Sequence, residues 1–186
     1  MSQDTSDSPT FDALAEDYDR CLQHVHSEDS QFWRRTLFRT AFSMFEAMNC
    51  ILRDKAVQAA CSGDKTAFNT TRIELLSDYS YRVLKNGKLE QEPRRLPFLH
   101  QTAFILRSLA EESYTEATFF SEHGWNDFQQ SVQVRHRLTH PKANTDMNIT
   151  DEEIDRLNSA FKWYWRAAMT AVGNRAFWGQ PGEALP

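Results

Sequence analysis

Apolar residues recur through most of the chain at spacings of three and four, the period of a helix with one buried side. The first such stretch predicts a helix over about 9–26, opened by a Ser-Pro pair. The second predicts a long helix that Asp29 or Ser30 caps and that ends near Ala60. Its aromatic residues are not confined to one stripe, so this helix is either central to a bundle or also covered by a partner chain.

The period changes from helical to alternating near the middle of the chain. After a polar connection over 63–72, aromatic and β-branched residues alternate with polar ones at 79–83, and an Asn-Gly pair follows at 86–87. Asn-Gly between alternating segments is a strong signal for a β-hairpin, which we predict at about 79–92. The alternative is a single helix that begins at Ile73 and ends at that glycine, because short apolar runs are ambiguous.

Three further helices are predicted in the second half of the chain. Pro97 opens one of them. After Gly124 breaks the chain, Asn126 or Asp127 caps the next helix, which ends before Pro141. A Thr-x-x-Glu capping box then opens the last helix, since its hydroxyl and carboxylate are spaced to accept hydrogen bonds from each other's backbone N–H groups.

Composition supports a folded chain. The 186 residues, 40% hydrophobic and 12% aromatic, are enough to form a core. With the helical period, this predicts a mainly α fold, an up-and-down helical bundle with one small β-hairpin. We expect a single domain over 8–178, preceded by a disordered segment at 1–7 and followed by a flexible tail at 179–186.

Charge and cysteine content narrow the class of function. A net charge of −5 argues against an extended basic surface for duplex nucleic acid, but it permits a small basic site. The three cysteines, Cys21, Cys50 and Cys61, lack the spacing of metal ligands. No stretch approaches the roughly 20 apolar residues of a membrane span, and the N-terminus has no apolar signal region. We therefore expect a cytoplasmic protein that needs no metal or cofactor and does not bind a membrane.

The most distinctive chemistry lies in VRHRLTHPK, at Val134–Lys142. The residue before a proline is pushed out of the right-handed helical region, so the helix is expected to loosen at Thr139–His140. A helix that ends there can bring His140 beside Arg135, which places a fixed cation next to an imidazole that exchanges protons near neutral pH. One group can then hold a phosphate while the other moves a proton.

This stretch resembles the signature of the HEPN superfamily, in which an Arg with a polar neighbour is followed, after four to six intervening positions, by a His. Arg135, His136 and His140 stand at those positions, and the Thr-His-Pro-Lys ending is similar to bacterial HEPN-like proteins. The resemblance is best over roughly 98–165. It implies a metal-independent endoribonuclease, often a toxin or a phage-defence effector. It also implies RNA and an antitoxin as partners, and a homodimer whose two motifs face one cleft.

The resemblance also implies roles for the individual residues. His140 would take the proton of a ribose 2′-hydroxyl or give one to the leaving 5′-oxygen, while Arg135 neutralises charge on the phosphate. The products would carry a 2′,3′-cyclic phosphate and a 5′-hydroxyl. His136 would orient His140 or contact the phosphate, and Arg137 and Lys142 would position RNA.

Three alternatives stay open. Arg135 and His140 could be purely structural, capping helix-end carbonyls and pairing with a carboxylate such as Asp146. His136 and His140, four residues apart, could be metal ligands, but no third ligand is evident. A HEPN-like bundle can also be a non-catalytic RNA-binding or protein-interaction module. The bare spacing recurs elsewhere, as in the pair at positions 20 and 26, but without the proline stop.

Overall fold

A computed structural model describes residues 9–62, 67–77, 79–93, 96–110 and 119–172. Within them lie the helices α1 (Pro9–Glu28), α2 (Gln31–Ser62), α3 (Ala67–Leu76), α4 (Phe98–Leu109), α5 (His123–Thr139) and α6 (Asp151–Val172). The strands β1 (Tyr79–Val83) and β2 (Leu89–Pro93) form an antiparallel hairpin, and a short 3₁₀ turn spans Asn144–Met147. The prediction of a mainly α fold with a small hairpin is confirmed. The predicted disordered segment at 1–7 and flexible tail at 179–186 lie outside the described residues.

The first two helices begin and end close to their predicted positions. α1 extends two residues beyond the predicted end, and α2 begins directly after Ser30. The backbone N–H of Trp33 donates to the Ser30 hydroxyl over 3.4 Å, so Ser30 is the residue that caps α2. Asp29 instead joins the two helices with a positive φ of 41°.

The described elements belong to two compact units of the chain. The first unit is Met1–Met48 together with Glu116–Arg166, and the second is Asn49–Thr115 together with Ala167–Pro186. Both α2 and α6 begin in the first unit and end in the second. The single domain over 8–178 stays a prediction. None of the described helices is both long enough and apolar enough to cross a bilayer.

Aromatic side chains form the core of the first unit. Phe45 of α2 and Phe128 of α5 are both fully buried, and their ring centroids lie 5.2 Å apart. Tyr164 of α6 packs against both rings, and its hydroxyl donates to the Phe45 carbonyl. Tyr18 of α1 stacks on Phe161 of α6 with 4.3 Å between centroids. Each such pair contributes about 0.5–1.5 kcal/mol beyond the burial of its area, so these rings hold the four helices together.

A buried polar pair joins α2 to α4 in the second unit. The Asn49 side-chain amide donates to the Thr102 hydroxyl over 2.8 Å, and that hydroxyl donates to the Phe98 carbonyl over 3.0 Å. Asn49, Thr102, Ile105 and Leu106 are all buried. Because an unpaired buried amide is costly, this pair favours one register of α4 along α2.

The polar connection predicted over 63–72 is wrong in its second half, because α3 begins at Ala67. This part of the sequence has few apolar residues at helical spacing, so the local pattern does not predict a helix. Burial of Leu76 in the last turn stabilises α3, as tertiary packing often does for short helices. The alternative of one helix from Ile73 to Gly87 is also wrong, since α3 ends before the hairpin.

The hairpin predicted at 79–92 is confirmed, and its turn uses the conformational freedom of Gly87. Gly87 has a positive φ of 76°, which costs a glycine little. Its N–H donates to the Leu84 carbonyl over 2.9 Å, while the Leu84 N–H donates to the Lys88 carbonyl over 2.8 Å. These bonds close a three-residue loop with glycine in its left-handed position.

The prediction that Asn126 or Asp127 caps α5 is wrong, because the helix begins at His123 and includes both residues. Gly124 does not break the chain but lies in the first turn of α5. A Cβ atom on Gly124 would come within 2.3 Å of the Trp163 Cβ atom on α6. The glycine therefore allows the two helices to approach closely, a requirement that only the packed structure reveals.

Candidate functional site

α5 ends where the His140-Pro141 pair predicts. Thr139 is the last helical residue, and His140 leaves the helix with φ −129° and ψ 61°. The proline ring excludes the right-handed helical region for the preceding residue, so the predicted loosening is confirmed. The His140 N–H still donates to the His136 carbonyl over 3.0 Å, and the Thr139 hydroxyl donates to the Arg135 carbonyl over 2.8 Å. The carbonyl groups of Arg135 and His136 near the end of the motif helix thus accept hydrogen bonds from the residues that follow them.

Arg135 is held by two side chains of α2. Its guanidinium donates to the Glu46 carboxylate over 2.6 Å and lies 6.0 Å from the centroid of the Phe42 ring. Both members of the ion pair reach solvent, with 40% of the Arg135 side chain and 48% of the Glu46 side chain exposed. An ion pair this exposed contributes about 0–1 kcal/mol, so a phosphate can compete with Glu46 for the guanidinium.

A cleft of about 380 Å³ lies between α2 and α5 at this ion pair. It is lined by Phe38, Arg39, Phe42, Ser43, Glu46, Arg135, Leu138 and Thr139. We call it the arginine cleft. The two phenylalanines are buried and form its floor, while two guanidinium groups and two hydroxyl groups lie at its rim. An apolar floor with a few convergent polar groups is typical of sites that bind small ligands or parts of larger ones.

His136 and His140 lie side by side at the exposed end of α5. Their ring centroids are 5.1 Å apart and the rings are tilted by 60°. Two imidazoles this close can act on one ligand, one as proton acceptor and the other as proton donor. Within the described part of the chain, neither ring hydrogen-bonds to Arg135, whose guanidinium is directed at Glu46. The structure therefore brings the two histidines together, whereas Arg135 lines a cleft whose described walls include neither histidine, so the approach of His140 to Arg135 stays a prediction.

Arg137 joins the end of α5 to the start of α6. Its Nη1 and Nη2 atoms donate to the two carboxylate oxygens of Glu153 over 3.0 and 3.1 Å, and Nη2 also donates to the Asn148 carbonyl. Glu153 accepts the Thr150 N–H, and the Thr150 hydroxyl accepts the Glu153 N–H, so the predicted capping box is confirmed. This bidentate pair gives Arg137 a structural role and makes it less available to RNA than Lys142.

Lys142 lies in the exposed loop after the motif helix. Its backbone N–H and that of Ala143 donate to one carboxylate oxygen of Asp146, over 2.7 and 3.0 Å. These hydrogen bonds lower the pKa of Asp146 below its ordinary value. Asp146 therefore holds the loop backbone, whereas the structural alternative expected it to pair with Arg135 or His140.

Two side chains at the start of α2 bind the connection between α5 and α6. The Gln31 amide exchanges two hydrogen bonds with the backbone of Ile149, over 2.9 and 2.8 Å. Arg34 donates to Asp29 over 2.6 Å and to the Ile149 carbonyl over 2.9 Å, and it also pairs with Asp151. The hydrogen bond to Asp29 is the main cause that raises the pKa of Arg34. The chain after the motif is thus fixed by α2 as well as by Arg137.

A second cleft, of about 660 Å³, lies between α5 and α6. At its wall the buried Asp127 accepts a hydrogen bond from the Ser159 hydroxyl over 2.5 Å, and His123 Nε2 lies 3.5 Å from the same oxygen atom. In a nucleophilic triad the imidazole contacts the hydroxyl and the carboxylate orients the imidazole. Here the carboxylate lies between the other two groups, so the arrangement does not activate Ser159.

The metal alternative requires a third ligand beside His136 and His140, since a catalytic zinc site normally takes three protein ligands. Within the residues that the structure describes, no three His, Cys, Asp or Glu side chains are grouped where they could hold a metal ion. Cys21 is buried, Cys50 and Cys61 are exposed, and all three are free thiols.

The α2 wall of the arginine cleft was not predicted from the sequence. Arg39, Ser43 and Glu46 recur at spacings of four and three, so they form a polar stripe beside the buried Phe38 and Phe42. A polar stripe on a helix that is apolar on several sides indicates that part of the helix borders solvent. That the motif helix forms the other wall is decided by tertiary packing, which no local pattern specifies.

No family model, no curated protein and no solved structure matches the chain. The resemblance to the HEPN superfamily therefore depends on the motif residues themselves.

Proposed function

We propose that the protein is a metal-independent endoribonuclease of the HEPN type, acting as a toxin or a phage-defence effector. The observation that carries the proposal is the pair of exposed imidazoles, His136 and His140, whose centroids lie 5.1 Å apart at the end of α5. Arg135 lies on the same last turns of the helix, in the arginine cleft. Cleavage of a phosphodiester uses acid–base groups together with a cation that neutralises the phosphate, and these side chains supply both.

In the proposed reaction His140 accepts the proton of a ribose 2′-hydroxyl, and the 2′-oxygen attacks the adjacent phosphorus. The bond between phosphorus and the 5′-oxygen breaks, and that oxygen takes a proton from a second imidazole. His136 of the same chain, or His140 of a second copy in a homodimer, would supply this proton. The products are a 2′,3′-cyclic phosphate and a 5′-hydroxyl, and this step consumes no water.

The arginine cleft would hold the charged backbone of the RNA. Arg135 neutralises the phosphate as charge grows on its oxygens, which requires the guanidinium to exchange Glu46 for the phosphate. Arg39 lies on the opposite wall of the cleft and offers a second cation. Lys142, in the exposed loop, would contact the backbone farther along the strand.

Incubation of the purified protein with mixed RNA tests the proposal. We expect cleavage that persists in EDTA and yields 5′-hydroxyl ends together with 3′ ends that accept a tail only after a cyclic phosphate is removed. His140→Ala is expected to abolish cleavage. His26→Ala is the matched control, because His26 is also exposed and follows Arg20 at a similar spacing on α1. A folded His140→Ala variant with full activity would disprove the assignment, and loss of cleavage in EDTA would favour the metal alternative.

A second candidate is a HEPN-like module that binds RNA or a protein without cutting. The observation that favours it is the pairing of Arg135 with Glu46 and of Arg137 with Glu153, which leaves fewer free cations at the motif. RNA that is retained by the protein but recovered intact would indicate this function. An antitoxin-like partner protein that binds the motif surface would agree with either candidate.

A further inference from the structure

The hairpin presents a hydrophobic face to solvent. Tyr79, Tyr81 and Val83 alternate along β1, so they lie on one face, and Leu89 is paired directly opposite Val83 on β2. Their exposed fractions are 47%, 59%, 68% and 69%. Among the described residues these are four of the five large hydrophobic side chains that are exposed. We call them the apolar hairpin face, and their concentration on one small element indicates a binding surface.

The opposite face of the hairpin is satisfied within the chain. Arg82 pairs with Glu90 over 2.5 Å and with Glu92 over 2.8 Å. Ser80 lies beside this cluster, opposite Glu92. A charged face with its own cross-strand pairs needs no partner, so any partner is expected on the apolar hairpin face or along a strand edge.

The backbone of β1 offers an open edge. The Leu84 N–H donates inward to Lys88, and inward and outward bonding alternate along an antiparallel ladder. Tyr79, Tyr81 and Val83 therefore direct their N–H and C=O groups outward. Within the described residues the sheet has only the strands β1 and β2, so no third strand takes up these groups.

The edge of β2 is protected in two ways that the edge of β1 is not. Pro93 falls at an outward-bonding position of β2, opposite Tyr79, and has no N–H to donate. Two copies of β2 paired about Gln91 would also place Glu90 opposite Glu92 of the second copy, which repels. Proline and like charges are common protections against edge pairing, and β1 has neither.

We propose that β1 pairs antiparallel with β1 of a second copy, so that the two hairpins form one four-stranded sheet. A two-fold axis at Tyr81 places Tyr81 opposite Tyr81 of the second copy, and Tyr79 opposite Val83. Each outward backbone group then finds a partner, and both apolar hairpin faces lie on the same side of the sheet. Arg82 falls opposite Ser80, so no like charges meet. The contact is isologous and closes as a dimer, whereas pairing of β1 with β2 would continue into a fibre.

Sedimentation velocity across a range of protein concentrations tests this pairing. The wild-type protein is expected to form a dimer that dissociates on dilution, because the contact is small. Tyr81→Lys places two ammonium groups face to face on the two-fold axis and is expected to weaken dimerisation about a hundredfold. Gln91→Lys is the matched control, since Gln91 lies directly across from Tyr81 on the same face but on the protected strand. This variant is expected to dimerise like the wild type. Circular dichroism verifies that each variant is folded.

Hydrogen exchange supplies a second measurement. The outward amides of Tyr81 and Val83 are expected to gain protection as the concentration rises, while the amide of Gln91 does not. A wild-type protein that stays monomeric, or a Tyr81→Lys variant in which the amide of Val83 still gains protection as the concentration rises, overturns the pairing. Equal loss of the dimer in both variants shows stacking of the apolar hairpin faces rather than edge pairing, which overturns it as well. RNA cleavage is measured separately, so failure here leaves the proposed activity to be judged by its own assay.

Discussion

Arg135 and Arg137 lie two positions apart on α5, yet the structure uses them differently. Arg137 forms a bidentate pair with Glu153, whose side chain is only 12% exposed, and also binds a backbone carbonyl. Arg135 has one exposed carboxylate partner, Glu46, and lies in an open cleft. A charge with several partly buried partners is fixed as part of the fold, whereas a charge with one solvent-screened partner can exchange it for a ligand. The motif thus divides into a structural part and an available part.

The largest effect is expected at His140, in the available part. His140→Ala is predicted to lower the rate of RNA cleavage by about 10²–10⁴-fold, the usual contribution of a general acid or base. Because its side chain is exposed, the free energy of unfolding is expected to change by no more than about 0.5 kcal/mol. Initial cleavage rates and urea unfolding of the same preparation measure both quantities. A variant that loses stability and activity together would place His140 in the structural part.

The reverse result is expected at Arg137. Arg137→Met is predicted to lower the free energy of unfolding by about 1–2 kcal/mol, because Glu153 keeps a partly buried carboxylate with fewer donors. The matched variant Arg135→Met is expected to lose less than about 0.5 kcal/mol, as exposed ion pairs usually do. Urea midpoints at neutral pH distinguish the two. Equal losses would contradict the division between the two arginines.

The fold was predictable wherever the signal is local. Helical period, the Asn-Gly turn of the hairpin and the capping box at Thr150 and Glu153 each act within a few residues. The start of α5 was not predictable, because it depends on the close approach of Gly124 to Trp163, two residues that lie far apart in sequence. Nor was α3, which has few apolar residues at helical spacing and buries Leu76 in its last turn.

The candidate site was predictable in part for the same reason. Two features of the site are local. Pro141 explains why α5 ends before it, and the helical period explains why His136 and His140, four residues apart, lie side by side. The partners of the arginines are not local, since Glu46 is 89 positions from Arg135 and Glu153 is 16 from Arg137. The sequence therefore identified the candidate residues, but not which of them already bind other parts of the fold.

A smaller effect is expected from releasing Arg135. Glu46→Gln removes the charge that competes with phosphate for the guanidinium and keeps the shape of the side chain. Since an exposed ion pair contributes about 0–1 kcal/mol, RNA affinity is expected to rise about threefold. Filter binding of a short single-stranded RNA at low salt, with His140→Ala as background to prevent cleavage, measures the change. Ser43→Ala, on the same wall of the cleft, is the control that leaves this charge in place. Unchanged or weaker binding would show that Arg135 does not contact RNA.

The smallest effect concerns Asp146, which accepts hydrogen bonds from the loop backbone directly after the motif. Hydrogen bonds from the N–H groups of Lys142 and Ala143 lower its pKa below the ordinary value of 3.8. A carboxylate whose pKa is lower in the folded state stabilises the fold above its unfolded pKa, and this contribution disappears as pH falls through the folded pKa. Urea unfolding between about pH 5 and about pH 2.5 should therefore show a steeper loss of stability in the wild type than in Asp146→Asn, which cannot titrate. Parallel profiles would mean that Asp146 does not hold the loop that follows the motif, and the structural part of the motif would then depend on Arg137 alone.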